Sequence, residues 1–308
     1  MPDSRSGGRP VWRSVALLTV AALLGGTVPG LAAHQEVGQR PLWEVGMAAG
    51  WSKFATYPGS ARHRVAAAGV PWFVYRGERV RASGRSVRLV LFETPRSWAD
   101  VAGGGWIPVN SATEPLRQGM PDLDAVFELG PRLNYRLFPN RPLSRTPSAR
   151  RTDVVARLAV GSAWSAAALN DTSHRGYVVE PSLRVTFHPA GPAGATQWDA
   201  RLYAEWADAE LNRYYYGVAP SFAAPGRPAW RASAGWRRAG VRLSFGWRIG
   251  QRWRVGAFVS PSVLPDPVRH SPLVARNSTL TVGAGLTWAF ARSRQMAKGP
   301  AADDNREP

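Results

Sequence analysis

There is no cysteine in this chain, and only two lysines, Lys53 and Lys298, among its 39 basic residues. The first absence excludes a disulfide scaffold and every thiolate site. Long apolar runs are missing too, apart from one at the N-terminus, and mean hydropathy is -0.24. That excludes a bundle of spanning helices, each of which needs about 20 apolar residues. Histidine is sparse: His34, His63, His174, His188 and His270 are all there are. A hydrolase of the Ser–His kind needs nucleophile and base side by side, and His270-Ser271 are adjacent on an extended segment, where neighbours point apart. No His/Asp/Glu group has metal-ligand spacing, since the pair Asp303 and Asp304 lies in the tail. No catalytic residue, cofactor or metal is expected.

Acidic residues are outnumbered, giving a formal net charge of +18. The arginines recur at alternate positions rather than in clusters, which argues against nucleic acid as a partner. Lipopolysaccharide phosphates or cell-wall polymer suit this charge better. At the N-terminus Arg5, Arg9 and Arg13 precede an apolar run over residues 15–24. Gly30-Leu31-Ala32-Ala33 then offers small residues for cleavage, so residues 1–33 read as a secretory signal peptide. Gly25, Gly26, Pro29 and Gly30 cut the run too short for an anchor.

What the chain has in quantity is tryptophan, 14 in all, set into a period of two. The pattern is clearest over residues 228–260. Trp230, Ala232, Ala234 and Trp236 share one face of a first strand, with a turn at Ala239-Gly240. Val241, Leu243, Phe245, Trp247 and Ile249 share a face of the next, and Trp253, Val255, Ala257 and Val259 of a third. Tryptophan at both ends of a segment suits two interfacial aromatic girdles around an apolar band. The same alternation opens at residues 43–51, returns at 127–137, 154–160, 177–187 and 198–206, and closes at 280–290; further strands are read at 64–75, 78–92 and 97–109, the first two with poorly separated faces because Trp72 and Phe73 are adjacent. The expectation is an all-β fold: a transmembrane antiparallel up-and-down β-barrel of about twelve strands, or ten if the N-terminal region is miscounted. It would span residues 34–290, followed by a polar disordered tail, 291–308, in the outer membrane of a Gram-negative bacterium. Trp43, Trp51, Trp198, Trp206, Trp230, Trp236, Trp247, Trp253 and Trp288 are assigned to the girdles. Glu128, Arg132, Arg136, Glu180, Arg184, Asp199, Arg201, Glu205, Arg231, Arg237, Arg242, Arg248 and Arg254 are assigned to the lumen. Tyr214, Tyr215 and Tyr216, in the longest interruption, are candidates for a plug or a partner-binding loop.

Seven ordered blocks carry a resemblance. They are Tyr57-Pro58-Gly59-Ser60; residues 71–81, beginning Pro71-Trp72-Phe73; residues 117–123, beginning Arg117-Gln118-Gly119-Met120; Gly130-Pro131-Arg132-Leu133; Tyr215-Tyr216-Gly217-Val218; Arg227-Pro228-Ala229-Trp230; and Ser271-Pro272-Leu273-Val274. Through them the chain resembles the MipA/OmpV family, the MltA-interacting outer-membrane proteins. It departs from the family pattern in the extension after Phe290 and in His270, where an acidic residue commonly precedes the last block. The resemblance implies an outer-membrane barrel acting as a scaffold that links a lytic transglycosylase to a penicillin-binding protein during murein synthesis and remodelling. Two other readings stand beside it: a narrow, anion-preferring porin with an arginine-lined lumen and, ranked below both, a barrel hydrolase.

Overall fold

A computed structural model of the protein describes residues 41–84, 86–138, 150–168, 170–190 and 195–297. The period of two becomes twelve strands: β1 (Trp43–Ala55), β2 (His63–Arg76), β3 (Val80–Ser83), β4 (Ser86–Glu93), β5 (Ser97–Trp106) and β6 (Ala125–Arg136), then β7 (Arg151–Ala168), β8 (Asp171–His188), β9 (Thr196–Ala207), β10 (Gly235–Ile249), β11 (Trp253–Val263) and β12 (Ser278–Arg292). A short helix, α1 (Ala209–Tyr216), lies between β9 and β10. Each strand pairs antiparallel with its neighbours in sequence, and β1 closes on β12, so the sheet is an up-and-down barrel.

Its polarity is the inverse of a soluble domain's. Met47, Leu129, Leu133, Leu158, Leu202, Leu243 and Leu286 face outward and exposed, whereas Asn134, Thr186, Thr287 and Asp153 are buried inside. Aliphatic side chains outside and polar ones inside are stable only where the surroundings are hydrocarbon. Aromatic belts flank that apolar band. Trp43, Trp198, Trp247, Trp253 and Trp288 ring the end at which β1 begins and β12 finishes, with Trp253 stacked on Trp288 at 5.8 Å. Trp51, Trp206 and Trp236 belong to the opposite end, where Trp206 and Trp236 are cross-strand partners. We call these the near and far ends. The near-end connections are 77–79, 94–96, 137–150, 189–195 and 250–252; those directed to the far end are the short 84–85 and 169–170, the intermediate 56–62, then 264–277 and the two longest, 107–124 and 208–234.

The strand number agrees with the sequence reading, but two strands differ. Residues 228–234 are not a strand of the wall: β10 begins at Gly235 and runs straight through Ala239-Gly240, the expected turn. Trp230 instead bridges Val218 in a loop, and Ala232 is buried among loop residues. Alternation alone cannot tell a wall strand from an extended loop that buries one face. Conversely, residues 78–92 are two strands, because Gly84 turns the chain back at φ +58°, a conformation that glycine reaches without a Cβ penalty. One strand lost and one gained leave the total at twelve. The tail also starts later than expected, since β12 continues to Arg292 and Met296 pairs with Pro41. The signal-peptide reading and residues 298–308 lie outside the described residues.

The seam between β1 and β12 has no room to spare. A Cβ built on Gly46 would collide with the backbone carbonyl of Trp288, next to the register shift at Val45/Gly46. Gly46→Val is therefore expected to destabilise the barrel by about 1–3 kcal/mol, as overpacking does. The check is the midpoint temperature at which the folded band shifts on an unboiled SDS gel, with Ala48→Val as the matched control.

Candidate functional site

Inward positions of the strands fill the lumen with arginine and carboxylate, in three layers. At the near end Glu44 accepts from Arg76 at 2.7 Å and from Arg254 at 2.9 Å, all three buried. Arg76 also donates to the Pro41 carbonyl at 2.9 Å, and Arg254 lies over the Trp72 ring. Alongside, Arg136 donates to Asp153 at 2.9 Å and covers Trp98. Paired charges and two large rings thus occupy this end of the barrel.

The middle layer is looser. Asp100 holds Arg132 at 2.7 Å and Arg88 at 3.9 Å, while Asp199 accepts from Arg184 at 2.7 Å and from the Thr186 hydroxyl at 2.8 Å. Glu180 pairs with Arg201. Arg242 stacks on Phe258 with 3.8 Å between guanidinium carbon and ring centre. A cavity of about 370 Å³ remains among these side chains. Above it, a bulge between Trp236 and Arg238 turns both Arg237 and Arg238 onto Glu205, and Arg237 reaches Glu128 at 3.4 Å.

The far end is closed by its loops. Asp208 caps α1 by accepting from the Leu211 amide at 2.9 Å. The helix buries Leu211, Tyr215 and Tyr216 against Tyr57, Val109, Leu123, Ala232 and Val268. Polar contacts pin the assembly. Tyr57 donates to the Leu273 carbonyl and Ser271 to that of Tyr216, both at 2.7 Å. Arg117 donates to the Tyr215 carbonyl at 3.1 Å, and Arg227 to those of Leu116 and Gln118 at 3.1 and 2.8 Å. The floor of this plug is the cationic pair below it: Arg237 lies between the rings of Trp106 and Tyr215, at 5.6 and 5.2 Å, and Arg238 covers Trp106 and Tyr203. Burial pushes the phenols of Tyr57, Tyr215 and Tyr216 above their ordinary range. Burial, with Asp124 beside it, pushes Tyr214 up to about 12.

The lumen residues named from sequence sit on inward strand positions with one exception. Arg231 is exposed in the loop before β10, so its assignment to the lumen is corrected, as is that of Trp230 to a girdle: it is half-buried against the plug. Both were misplaced by the strand that is not there. Tyr214, Tyr215 and Tyr216 belong to the plug. Inward Glu44, Arg76, Arg88, Asp100, Asp153, Arg157 and Arg238 went unnamed; the first six fall at alternate positions of their strands, and Arg238 was hidden by the bulge. Of the seven sequence blocks, those beginning at Tyr57, Arg117, Tyr215, Arg227 and Ser271 all meet in the plug. The tempting pair is parted: Ser271 is spent on Tyr216, and His270 faces Asp266 at 2.7 Å.

Comparison with known proteins places this architecture. Residues 45–290 match the family described as MltA-interacting protein MipA, and the chain belongs to that family. No curated protein matches it. Among solved structures, the NanC porin is 8% identical with a TM-score of 0.37, over 79% of this chain and 98% of the porin. OprB of Pseudomonas putida is 7% identical with a TM-score of 0.36, over 80% and 94%. The anion-selective porin from Comamonas acidovorans is 7% identical with a TM-score of 0.32, over 82% and 100%. Likenesses this distant carry no argument about function.

Two outcomes test the lumen and the plug. Glu44→Gln leaves two buried guanidiniums without their carboxylate and is expected to cost about 3–5 kcal/mol, read as a lower midpoint in urea unfolding. The plug tyrosines ionise at higher pH when folded than the ordinary value of about 10. Their contribution is therefore complete below pH about 10 and is lost as pH rises through the folded values. Far-end loops are expected to become protease-sensitive in that alkaline window while the barrel band persists on gels.

Proposed function

We propose that this member of the MipA family is an outer-membrane barrel that acts as an interaction scaffold for enzymes of peptidoglycan synthesis and remodelling, and that it is neither a pore nor an enzyme. The observation that carries the reading is a lumen stoppered twice, by the Glu44–Arg76–Arg254 layer at the near end and by the α1 plug at the far end. A lipid-facing exterior with aromatic belts supports placement in the outer membrane. Barrels of bacterial outer membranes put their longer loops outside the cell, and the two longest connections lie at the far end, so the near end is the one that meets periplasmic partners. Those partners would be a lytic transglycosylase, as the family's description implies, and a penicillin-binding protein. Lipopolysaccharide would surround the far half.

The arginine-lined cavity favours a second reading, a narrow anion-preferring porin, and one experiment separates the two. Refolded protein is expected to be silent in planar bilayers and to retain a lytic transglycosylase on an affinity column. Replacing near-end residues 94–96 and 250–252 with Gly-Ser should weaken that retention about tenfold, equivalent to about 1.4 kcal/mol. Anion-selective openings that shrink in the Arg242→Ala/Arg248→Ala double variant would overturn the scaffold reading.

A further inference from the structure

Although every strand has two neighbours, the ladder of the closed barrel has a gap among the described residues. β3 pairs with β2 only at Val74, Tyr75 and Arg76, and β4 pairs with β5 only from Trp98 to Val101. Among the described residues, the far part of β2 from His63 to Trp72 and the far part of β5 from Ala102 to Trp106 therefore have no strand between them. Two strands are missing from that level, so the edges stand about 14 Å apart at three inter-strand spacings. The tip of the β3–β4 hairpin bounds this window on the near side. Arg64, donating to the Pro108 carbonyl at 3.3 Å, bounds it on the far side.

The edges are bare as well as unpaired. β5 presents Gly103-Gly104-Gly105, and a Cβ on Gly104 would meet nothing within 4 Å. An open sheet edge at membrane depth is tolerated only where it lines a wet or polar space, and such a space lies behind it. The cavity of about 370 Å³ runs from Gly103–Gly105 to Arg132, Arg157 and Arg201, and also touches Leu129 and Val160, which face the lipid side. Four carboxylates line it as well, Glu128, Glu180, Asp199 and Glu205. Among the described residues Arg157 meets no carboxylate within ion-pair distance, its Nε donating to the neutral Asn134 amide at 2.9 Å. Arg132 Nη2 and Arg201 Nε are buried donors with no hydrogen-bond acceptor.

We propose that this window is a lateral portal, through which the phosphate of an anionic membrane lipid docks on Arg157 while its acyl chains stay in the bilayer against Leu129 and Val160. Charge selects the ligand: Arg157, a lumen guanidinium with no carboxylate partner among the described residues, calls for an anion. Position selects its source, because the opening faces hydrocarbon while both ends of the lumen are filled.

The test uses the mature barrel in phosphatidylcholine vesicles with traces of spin-labelled phosphatidylglycerol or spin-labelled phosphatidylcholine. The readout is the motionally restricted fraction in the electron paramagnetic resonance spectrum. Preference for the anionic label is expected to be about fivefold, and to fall to none in Arg157→Gln and in Gly104→Trp, which fills the window. Excess soluble glycerol phosphate should leave the preference unchanged. Equal association of both labels, or an unaltered preference in both variants, would overturn the proposal. Displacement by glycerol phosphate would overturn it as well, since the anion would then be reached from water. Should Gly104→Trp fail to give a folded band, Arg157→Gln decides alone, because it removes charge from a like-charge cluster.

Discussion

Backbone amides in hydrocarbon have no water to turn to, and each unpaired one costs several kcal/mol. That single constraint orders the molecule. It demands a closed ladder, met where β1 returns to β12, and it inverts the pattern of side chains, with aliphatic residues outside and polar ones within. It also sharpens the meaning of the gap in the ladder among the described residues. The bare edges of β2 and β5 stand next to the arginine-lined cavity rather than beside lipid alone.

Closure in turn creates a problem of filling. A twelve-stranded wall encloses more space than small side chains occupy, and this chain fills it with arginine. A buried charge is tolerable only with a partner, which is why Glu44, Asp100, Asp153, Asp199 and Glu205 are each met by at least one guanidinium. Carboxylates are fewer than arginines, so the balance is made up by rings, as with Arg242 on Phe258 and Arg238 on Trp106, and by backbone carbonyls. The result is an interior crowded with paired charges and rings.

Most of the sequence blocks that carry the resemblance have a physical role in the far-end plug. Wall strands need only alternation, which many residues satisfy. The plug needs particular atoms. Tyr57 must reach the Leu273 carbonyl, Ser271 that of Tyr216, and Arg117 and Arg227 must each thread several loop carbonyls. Five of the blocks are pieces of that one assembly, although they lie far apart in the chain. Trp230 and Arg231 show the opposite case: their alternation read as wall, but packing placed them in a loop.

By itself the sequence determined the class of fold, the number of strands, the inward face of the cleanly alternating strands and the family. All of these follow from a period of two and from local residue types, which act over a few neighbours. Tertiary structure alone decided which alternating segments join the wall. It also decided that the bulge at Arg237 aims two arginines at Glu205, that distant loops form one plug, and that the wall opens between β2 and β5. Each of these depends on partners remote in the chain, whose distances no local pattern encodes.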